Sequence, residues 1–390
     1  MPVATAARAV PSGTPRPANA ESGFALALLR QLGGEGNLVY SPYSVDVALT
    51  MADAGAAGPT ASQIARVLDA RSPSVAVAEA SSLRHALSVA VGSGTGAPTL
   101  DVANALWTQS GLVLQPPFVS TLTSSFGAPP RSTDFAGNPA AALRAINAWV
   151  SEHTNALIPS LLAPGSVTAQ TAFVLANAIY LKAHWQNPFM APLTQPAPFT
   201  TQGGQVVRVP FMNQQRTTYG YYGPAAYQAI ALPYSDSSLS LLAIMPRAGT
   251  LTSFDRGLTA RSLATIAARL RPESVNLSMP KVDLSSEESL NQPLQALGMT
   301  DAFGGAANFS GVTTQRSLSI SLVEHAAVLK IDEAGTVAAG ATAIVGPTAV
   351  APVPNRPIDV VLNRPYLLLL RDEASGAILF VARVENPSQS

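Results

Sequence analysis

Apolar positions along the chain recur with two periods. Phe24, Leu26, Leu28, Leu29 and Leu32 suit one face of a first amphipathic helix over Asn19–Leu32, which Gly33 and Gly34 end. Asn37–Tyr40 then reads as a short strand and Ser41-Pro42 as a helix start. Val45, Ala48, Leu49, Met51 and Ala54 follow as a buried helix, closed by Gly55 and Gly58. Another helix starts at Ser62–Leu68, and Leu100–Trp107 reads as a strand. Pro139–Thr154 carries Leu143, Ile146, Trp149 and Val150 at helical spacing, and Phe173–Trp185 is a long strand ending at Asn187-Pro188. Strands are predicted over Val206–Met212, Tyr227–Leu232, Leu239–Met245 and Val275–Val282, with helices over Leu251–Leu270 and Leu290–Leu297. Two strongly apolar runs, Tyr366–Leu370 and Ile378–Val384, are fit for adjacent buried strands.

One stretch departs from this pattern. Asp332–Val350 opens with two acids and, at Gly335, a glycine, then continues as small and β-branched residues without charge. On an extended chain Thr336, Ala338, Gly340, Thr342 and Ile344 fall on one side, and Val337, Ala339, Ala341, Ala343 and Val345 on the other. Such a segment can pair as a buried strand. It runs directly into a loop-like stretch marked by Gly346-Pro347, Pro352, Pro354 and Pro357. Taken by itself, the stretch also fits an ordinary buried strand followed by a turn.

The chain has 390 residues, 47% hydrophobic and only 12% charged, which suits one large, well-buried globule. Lys+Arg and Asp+Glu are both 23, so charge gives no reason to expect nucleic acid or an anionic membrane as partner. Cysteine is absent, which excludes disulfides, thiol catalysis and cysteine-based metal sites and leaves the compartment open. No apolar run reaches the roughly 18 to 20 residues of a membrane helix. The first twenty residues lack the continuous apolar core of a signal peptide. Residues 1–20 are expected to be a flexible tail of the kind that removal of an export signal leaves, and the protein is expected to be extracellular.

Catalytic chemistry has little to stand on. His85, His153, His184 and His325 are the only histidines, and there is no GxSxG elbow, HExxH or P-loop. The glycines of Gly92–Gly96 do not have dinucleotide-fingerprint spacing. The expectation is a protein that is not an enzyme and has no cofactor and no metal.

Glu333-Ala334-Gly335-Thr336-Val337-Ala338-Ala339-Gly340-Ala341 resembles the hinge of the reactive-centre loop of serpins, the serine protease inhibitors. Further stretches resemble the same family in the same order. They are the strand, Ser-Pro helix and small helix over Asn37–Leu68, and Ile146-Asn147-Ala148-Trp149-Val150 with Thr154, Ile158 and Leu161. Phe173–Phe189, Gly298–Phe303 with Phe309–Val312, and Phe380–Pro387 complete them. The resemblance covers about residues 19–387 as one domain, taken as 21–390 with the loop at about 333–357. It implies an α+β serpin fold: a large central mixed sheet, further sheets and about nine helices. It also implies a suicide substrate whose loop, once cut, inserts into the main sheet as a strand.

Site residues follow from the resemblance. Glu333, Gly335, Thr336, Val337, Ala338, Ala339, Gly340 and Ala341 form the hinge. Thr336 and Ala338 must enter the sheet, so small uncharged side chains are required there. Val337 stands where inhibitory members usually carry glutamate; it faces outward after insertion and favours premature insertion or strand-swapped polymers. Ser41, Ser44, Asn177 and His325 match the shutter, although Ser41 and Ser44 equally suit simple helix capping. Trp185, Lys281 and Glu333 match the breach, with Lys281 expected to pair with Glu333. The family's spacing from Glu333 puts the scissile bond at Ala349–Val350. The segment before Leu362 is longer than usual, so Thr348–Ala349 and Val350–Ala351 remain as registers. All three offer a small residue, which points to an elastase-like or subtilisin-like serine protease as partner of a monomeric inhibitor. Arg356 is rejected as the cleavage site because Pro357 follows it. The segment around Arg84 and His85 holds few positive charges, so no heparin site is expected. The alternative within the family is a non-inhibitory carrier or chaperone whose loop is only cleaved.

Overall fold

The computed structural model describes residues 18–91, 97–247, 250–336 and 356–389. The chain runs through α1 (Ala18–Gln31), β1 (Leu38–Tyr40), α2 (Pro42–Asp53), α3 (Gly58–Val67) and α4 (Pro73–Ala90). There follow β2 (Thr99–Gln109), α5 (Pro116–Thr121), β3 (Arg131–Thr133), α6 (Pro139–His153), β4 (Phe173–His184), β5 (Gln195–Thr200), β6 (Val206–Tyr222), β7 (Tyr227–Pro233) and β8 (Leu239–Pro246). The last part holds α7 (Leu251–Gly257), α8 (Ala260–Arg269), β9 (Arg271–Pro280), β10 (Val282–Ser289) and α9 (Asn291–Ala296). It closes with β11 (Leu322–Ile331), β12 (Gly335–Thr336), β13 (Ile358–Val361), β14 (Tyr366–Asp372) and β15 (Ile378–Val384).

Among the described residues the strands form two sheets. A six-stranded sheet has the order β10-β11-β12-β4-β2-β3, with β11 also bonded directly to β4. It is mixed: β11–β4 and β2–β3 run parallel, while β10–β11 and β2–β4 run antiparallel. A nine-stranded sheet has the order β1-β15-β14-β8-β7-β6-β9-β13, with β5 beside β6. Prolines Pro196 and Pro198 are tolerated in β5 because it pairs on one side only.

Alternation along the strands decides what each face of the six-stranded sheet meets. Ala103 and Ala105 of β2, Val174, Ala176 and Ala178 of β4, and Ala326 and Val328 of β11 pack under α6. The α6 residues that meet them, Ala142, Ile146, Trp149 and Val150, lie on one helical face. Small residues on the sheet side let α6 lie close across the strands. The alternate residues Leu106, Leu175, Ile179, Leu181, Ala327 and Leu329 join the main core, in which α2 is buried along its whole length. Protein surrounds α2 on every side, and its buried residues include the polar Ser44, Asp46, Thr50 and Asp53 as well as apolar ones. Its start is fixed by Pro42 in the first turn and by Ser41, whose side chain caps the Ser44 N–H.

Several boundaries differ from the sequence expectation. Val275–Val282 is not one strand: β9 ends at Pro280, and Val282 opens β10 in the other sheet. Leu251–Leu270 is two helices, because Thr259 starts α8 afresh with a reciprocal capping box to Ser262. The strand begun at Val206 runs on to Tyr222, bending at an irregularity between Gln214 and Thr217. Helix α1 begins at Ala18, inside the segment read as a tail. No helix among the described residues is long and apolar enough to cross a membrane.

Candidate functional site

Three polar side chains stand in a row across the middle of the six-stranded sheet. Asn104 of β2 lies opposite Asn177 of β4, which lies opposite His325 of β11, so all three share the face toward α2. Asn177 Nδ2 donates to Ser44 O at 2.8 Å and to Ser44 Oγ at 2.5 Å, and also reaches Asn104 Oδ1. His325 Nε2 accepts the Ser41 N–H at 2.9 Å, while Nδ1 faces Asn177 Oδ1. A backbone N–H only donates and an amide oxygen only accepts, so the imidazole is neutral with its proton on Nδ1. Complete burial agrees with this, pushing the His325 pKa down to about 3. Ser41, Ser44, Asn177 and His325 are thus brought into one buried network joining α2, β4 and β11. Ser41 meets both readings of it: its hydroxyl caps α2 and its amide joins the network.

The sheet opens toward the other end of β11. The parallel ladder between β11 and β4 pairs Leu322–Ala327 with Val174–Ile179 and stops there. Beyond Ile331 the chain turns back: Asp332 N–H donates to Gly335 O at 2.9 Å, and Asp332 Oδ1 accepts from the Ala334 and Gly335 amides. The turn delivers Gly335 and Thr336 between the two strands. Thr336 pairs with Ile331 on one side and Ala183 on the other, and Gly335 pairs with His184. A Cβ at Gly335 would fall 1.9 Å from the Ala183 carbonyl oxygen, so only glycine fits. Thr336 is fully buried, its Oγ1 2.5 Å from Tyr234 Oη.

Bonds from both sides hold this turn. Trp185 donates its backbone N–H to Ala334 O and its indole N–H to Asp332 O, each at 2.9 Å, and Phe189 N–H reaches Glu333 O at 2.8 Å. Glu333 Oε2 lies 2.8 Å from Lys281 Nζ, and Thr194 Oγ1 donates to Oε1 at 2.7 Å. Burial alone raises the Glu333 pKa, but the bonds from Lys281 and Thr194 outweigh it and hold the carboxyl below its ordinary value. Trp185, Lys281 and Glu333 therefore meet. Of the residues expected to form the hinge, Val337, Ala338, Ala339, Gly340 and Ala341 lie outside the described residues, as do Thr348, Ala349, Val350 and Ala351 of the expected scissile registers.

Sequence reasoning missed Asn104, Thr194, Tyr234 and Asp332. Asn104 had a signal: an asparagine flanked by alanines in an apolar strand, repeated at Asn177. Tyr234 had none, since it comes from the β7–β8 turn, 102 residues from Thr336. The connection from α6 to β4 is tied to the helix by Asn147. Its Oδ1 accepts from the Leu161 and Leu162 amides at 3.0 and 2.7 Å, and its Nδ2 donates to Leu162 O at 2.9 Å. No group of three or more potential metal-ligating side chains occurs among the described residues.

The site as a whole is a sheet whose two central strands are joined at one end and parted at the other, with a glycine-threonine segment in the parting. Comparison with known proteins gives this architecture a family. The family model for serpin (serine protease inhibitor) matches residues 19–387. The chain is 34% identical over 372 residues to an uncharacterised serpin-like protein of Thermococcus kodakarensis, covering 95% of this chain and 85% of that one. It is 34% identical over 364 residues to leukocyte elastase inhibitor of Bos taurus, covering 90% and 93%. Among solved structures, the native state of the thermophilic serpin tengpin superposes with a TM-score of 0.85 at 24% identity, covering 95% of this chain and 94% of that one. Thyroxine-binding globulin in complex with thyroxine superposes with a TM-score of 0.83 at 26% identity, covering 95% and 99%. With the family model spanning nearly all of it, the chain belongs to the serpin family.

Proposed function

We propose that this serpin inhibits elastase-like or subtilisin-like serine proteases as a monomeric suicide substrate. The observation that carries the reading is the position of Gly335 and Thr336, already paired between β11 and β4 where the direct ladder between those strands ends. Downstream, Val337–Val345 carries neither charge nor proline, so no residue in it opposes continued entry as a strand.

In this reading the protease serine attacks the Ala349 carbonyl carbon. The ester forms, the bond to Val350 breaks, and the freed amine takes the proton that the protease's base removed from the serine. Thr348–Ala349 and Val350–Ala351 are the neighbouring registers. Residues 337 onward then enter the sheet and carry the tethered enzyme with them, and distortion of its oxyanion hole stops deacylation. The uncut fold has to be a kinetic trap, because the inserted form gains strand pairing on both sides.

Mixing the protein with subtilisin or an elastase on denaturing gels, with mass spectrometry, tests this. A band at the summed mass and a released fragment beginning at Val350 are expected. Cleavage without a covalent band would favour a non-inhibitory carrier or chaperone; one structural neighbour, thyroxine-binding globulin, is solved in complex with thyroxine. Val337, where inhibitory members usually carry glutamate, would then be the first residue to exchange.

A further inference from the structure

We infer that Tyr234 is a positioning residue for loop insertion: its hydroxyl holds Thr336 seated in the first rung of the opened sheet before any bond is cut. This rests on the proposed insertion mechanism and adds a part to it, a clasp that belongs to the other sheet.

Each hydroxyl supplies what the other lacks. Thr336 is fully buried and Tyr234 is 2% exposed, so neither can turn to water. Among the described residues the hydroxyl–hydroxyl contact of 2.5 Å is the one side-chain hydrogen bond either makes. The tyrosine is also fixed in place. Its ring stacks on Trp185 at 4.5 Å and 13°, its N–H donates to Leu239 O, and its backbone forms a bridge with Trp185. The next residue continues the attachment, Ser235 N–H donating to His184 O and Ser235 Oγ to Trp185 O. The elements that hold the ring, His184 and Trp185, are continuous with the β4 edge on which Gly335 and Thr336 pair. Tyr234 therefore cannot follow the hinge if it leaves.

The physical consequence is a seat with a two-sided requirement. Removing one hydroxyl leaves the other buried without a partner, which is costly; replacing both with apolar groups of the same shape is nearly neutral. With Thr336 unseated, the hinge returns to solvent and the loop must find its first rung after cleavage. Deacylation then has longer to compete. With Thr336 seated, insertion starts one rung ahead. The same geometry selects the entering side chain: small, β-branched and hydroxylated.

The test uses hydrogen exchange by mass spectrometry on the uncut protein, read at residues 332–336 and 183–186. Tyr234→Phe and Thr336→Val are each expected to speed exchange of the Gly335, Thr336 and Trp185 amides about tenfold, the effect of one orphaned buried hydroxyl. The double variant is expected to return to within about twofold of the parent, since the two changes are coupled. With subtilisin, the single variants should consume more inhibitor per covalent complex and the double variant should not. Unchanged exchange in the single variants, or effects that simply add in the double one, would overturn the clasp. Failure of the inhibitory reading looks different: the exchange pattern appears as described, yet the parent forms no covalent complex.

Discussion

Lys281 Nζ lies 2.8 Å from Glu333 Oε2, joining the residue between β9 and β10 to the turn that delivers Gly335 and Thr336 into the sheet. The lysine side chain is 39% exposed and the glutamate side chain 16%, so water and salt weaken the pair without abolishing it. Lys281→Met is expected to lower stability by about 1 kcal/mol, the upper end for a partly exposed ion pair, and the loss should shrink in high salt. Glu333→Lys should cost more, because it sets two cations together and leaves Thr194 Oγ1 without its acceptor. Thermal unfolding of both variants at low and high ionic strength measures this. No loss in Lys281→Met, or a loss that salt leaves unchanged, would show that charge attraction does not hold the turn.

Asp53 gives the fold an unusual pH dependence. It is the last residue of α2, fully buried, and neither carboxyl oxygen has a hydrogen-bond partner. Burial raises its pKa to about 7, against about 3.9 for the unfolded chain. A raised acid contributes stability that is complete below the unfolded value and lost as pH rises through the folded one. Burial also lifts Glu324 to about 7, and lifts Asp255 to about 6 against the pull of Arg383, both with the same sign. His325 acts oppositely: its stability is present above about 6.5 and lost as pH falls toward about 3. From about pH 4.5 to pH 7 the three acids outnumber the one imidazole, so resistance to urea should fall as pH rises and level off above about pH 7. Asp53→Asn should remove up to about 1.4 kcal/mol per pH unit from the steepest part of that slope. Urea midpoints across this range decide it; identical slopes in parent and variant would show that Asp53 is not the group titrating.

How much of this could be read in advance depended on range. Runs such as Phe173–His184 and Ile378–Val384 declared themselves, because continuous burial leaves a continuous apolar sequence. The change of sheet at Lys281 left no mark, since both flanking segments are good strands and only Lys281 separates them. Thr259 broke a helix whose apolar spacing runs on through it. In the site, Lys281 and Glu333 were named through the family resemblance, as were Asn177 and His325. Tyr234 and Thr194 act only through contacts made across the fold, with no local pattern that singles out either residue. A hydroxyl poised over a distant threonine is a property of the packing, not of the segment that carries it.

Gly335 separates the seat itself from the clasp that holds it. In Gly335→Ala the new Cβ would meet the Ala183 carbonyl at 1.9 Å, a backbone atom that cannot move without parting β4 from its neighbours. The hinge should therefore be expelled, with the same faster exchange as Tyr234→Phe. Adding Thr336→Val should not rescue it, because the obstacle is steric and not an orphaned hydroxyl. Fewer covalent complexes per cleavage are expected with subtilisin. If Gly335→Ala inhibits as well as the parent, the seat has no part in the rate of insertion.

Asn147 tests what must yield above the opening strands. Helix α6 packs on small residues of β2, β4 and β11, so a strand entering between β4 and β11 has to pass beneath it. The segment returning from α6 toward β4 is held by Asn147, whose Oδ1 accepts from the Leu161 and Leu162 amides and whose Nδ2 donates a hydrogen bond to Leu162 O. Asn147→Ala leaves the Leu161 and Leu162 amides without their acceptor, at a cost of about 1 to 3 kcal/mol. If this tie is broken only when the loop enters, that cost raises the native state relative to the barrier. Spontaneous loss of inhibitory capacity on warming should then quicken by about tenfold. Residual activity followed over time at one raised temperature, beside unfolding of the same samples, separates two cases. Earlier unfolding with unchanged decay would make Asn147 a brace of the fold alone. Faster decay with native-like unfolding would show that the helix and its return segment set how long the uncut state survives.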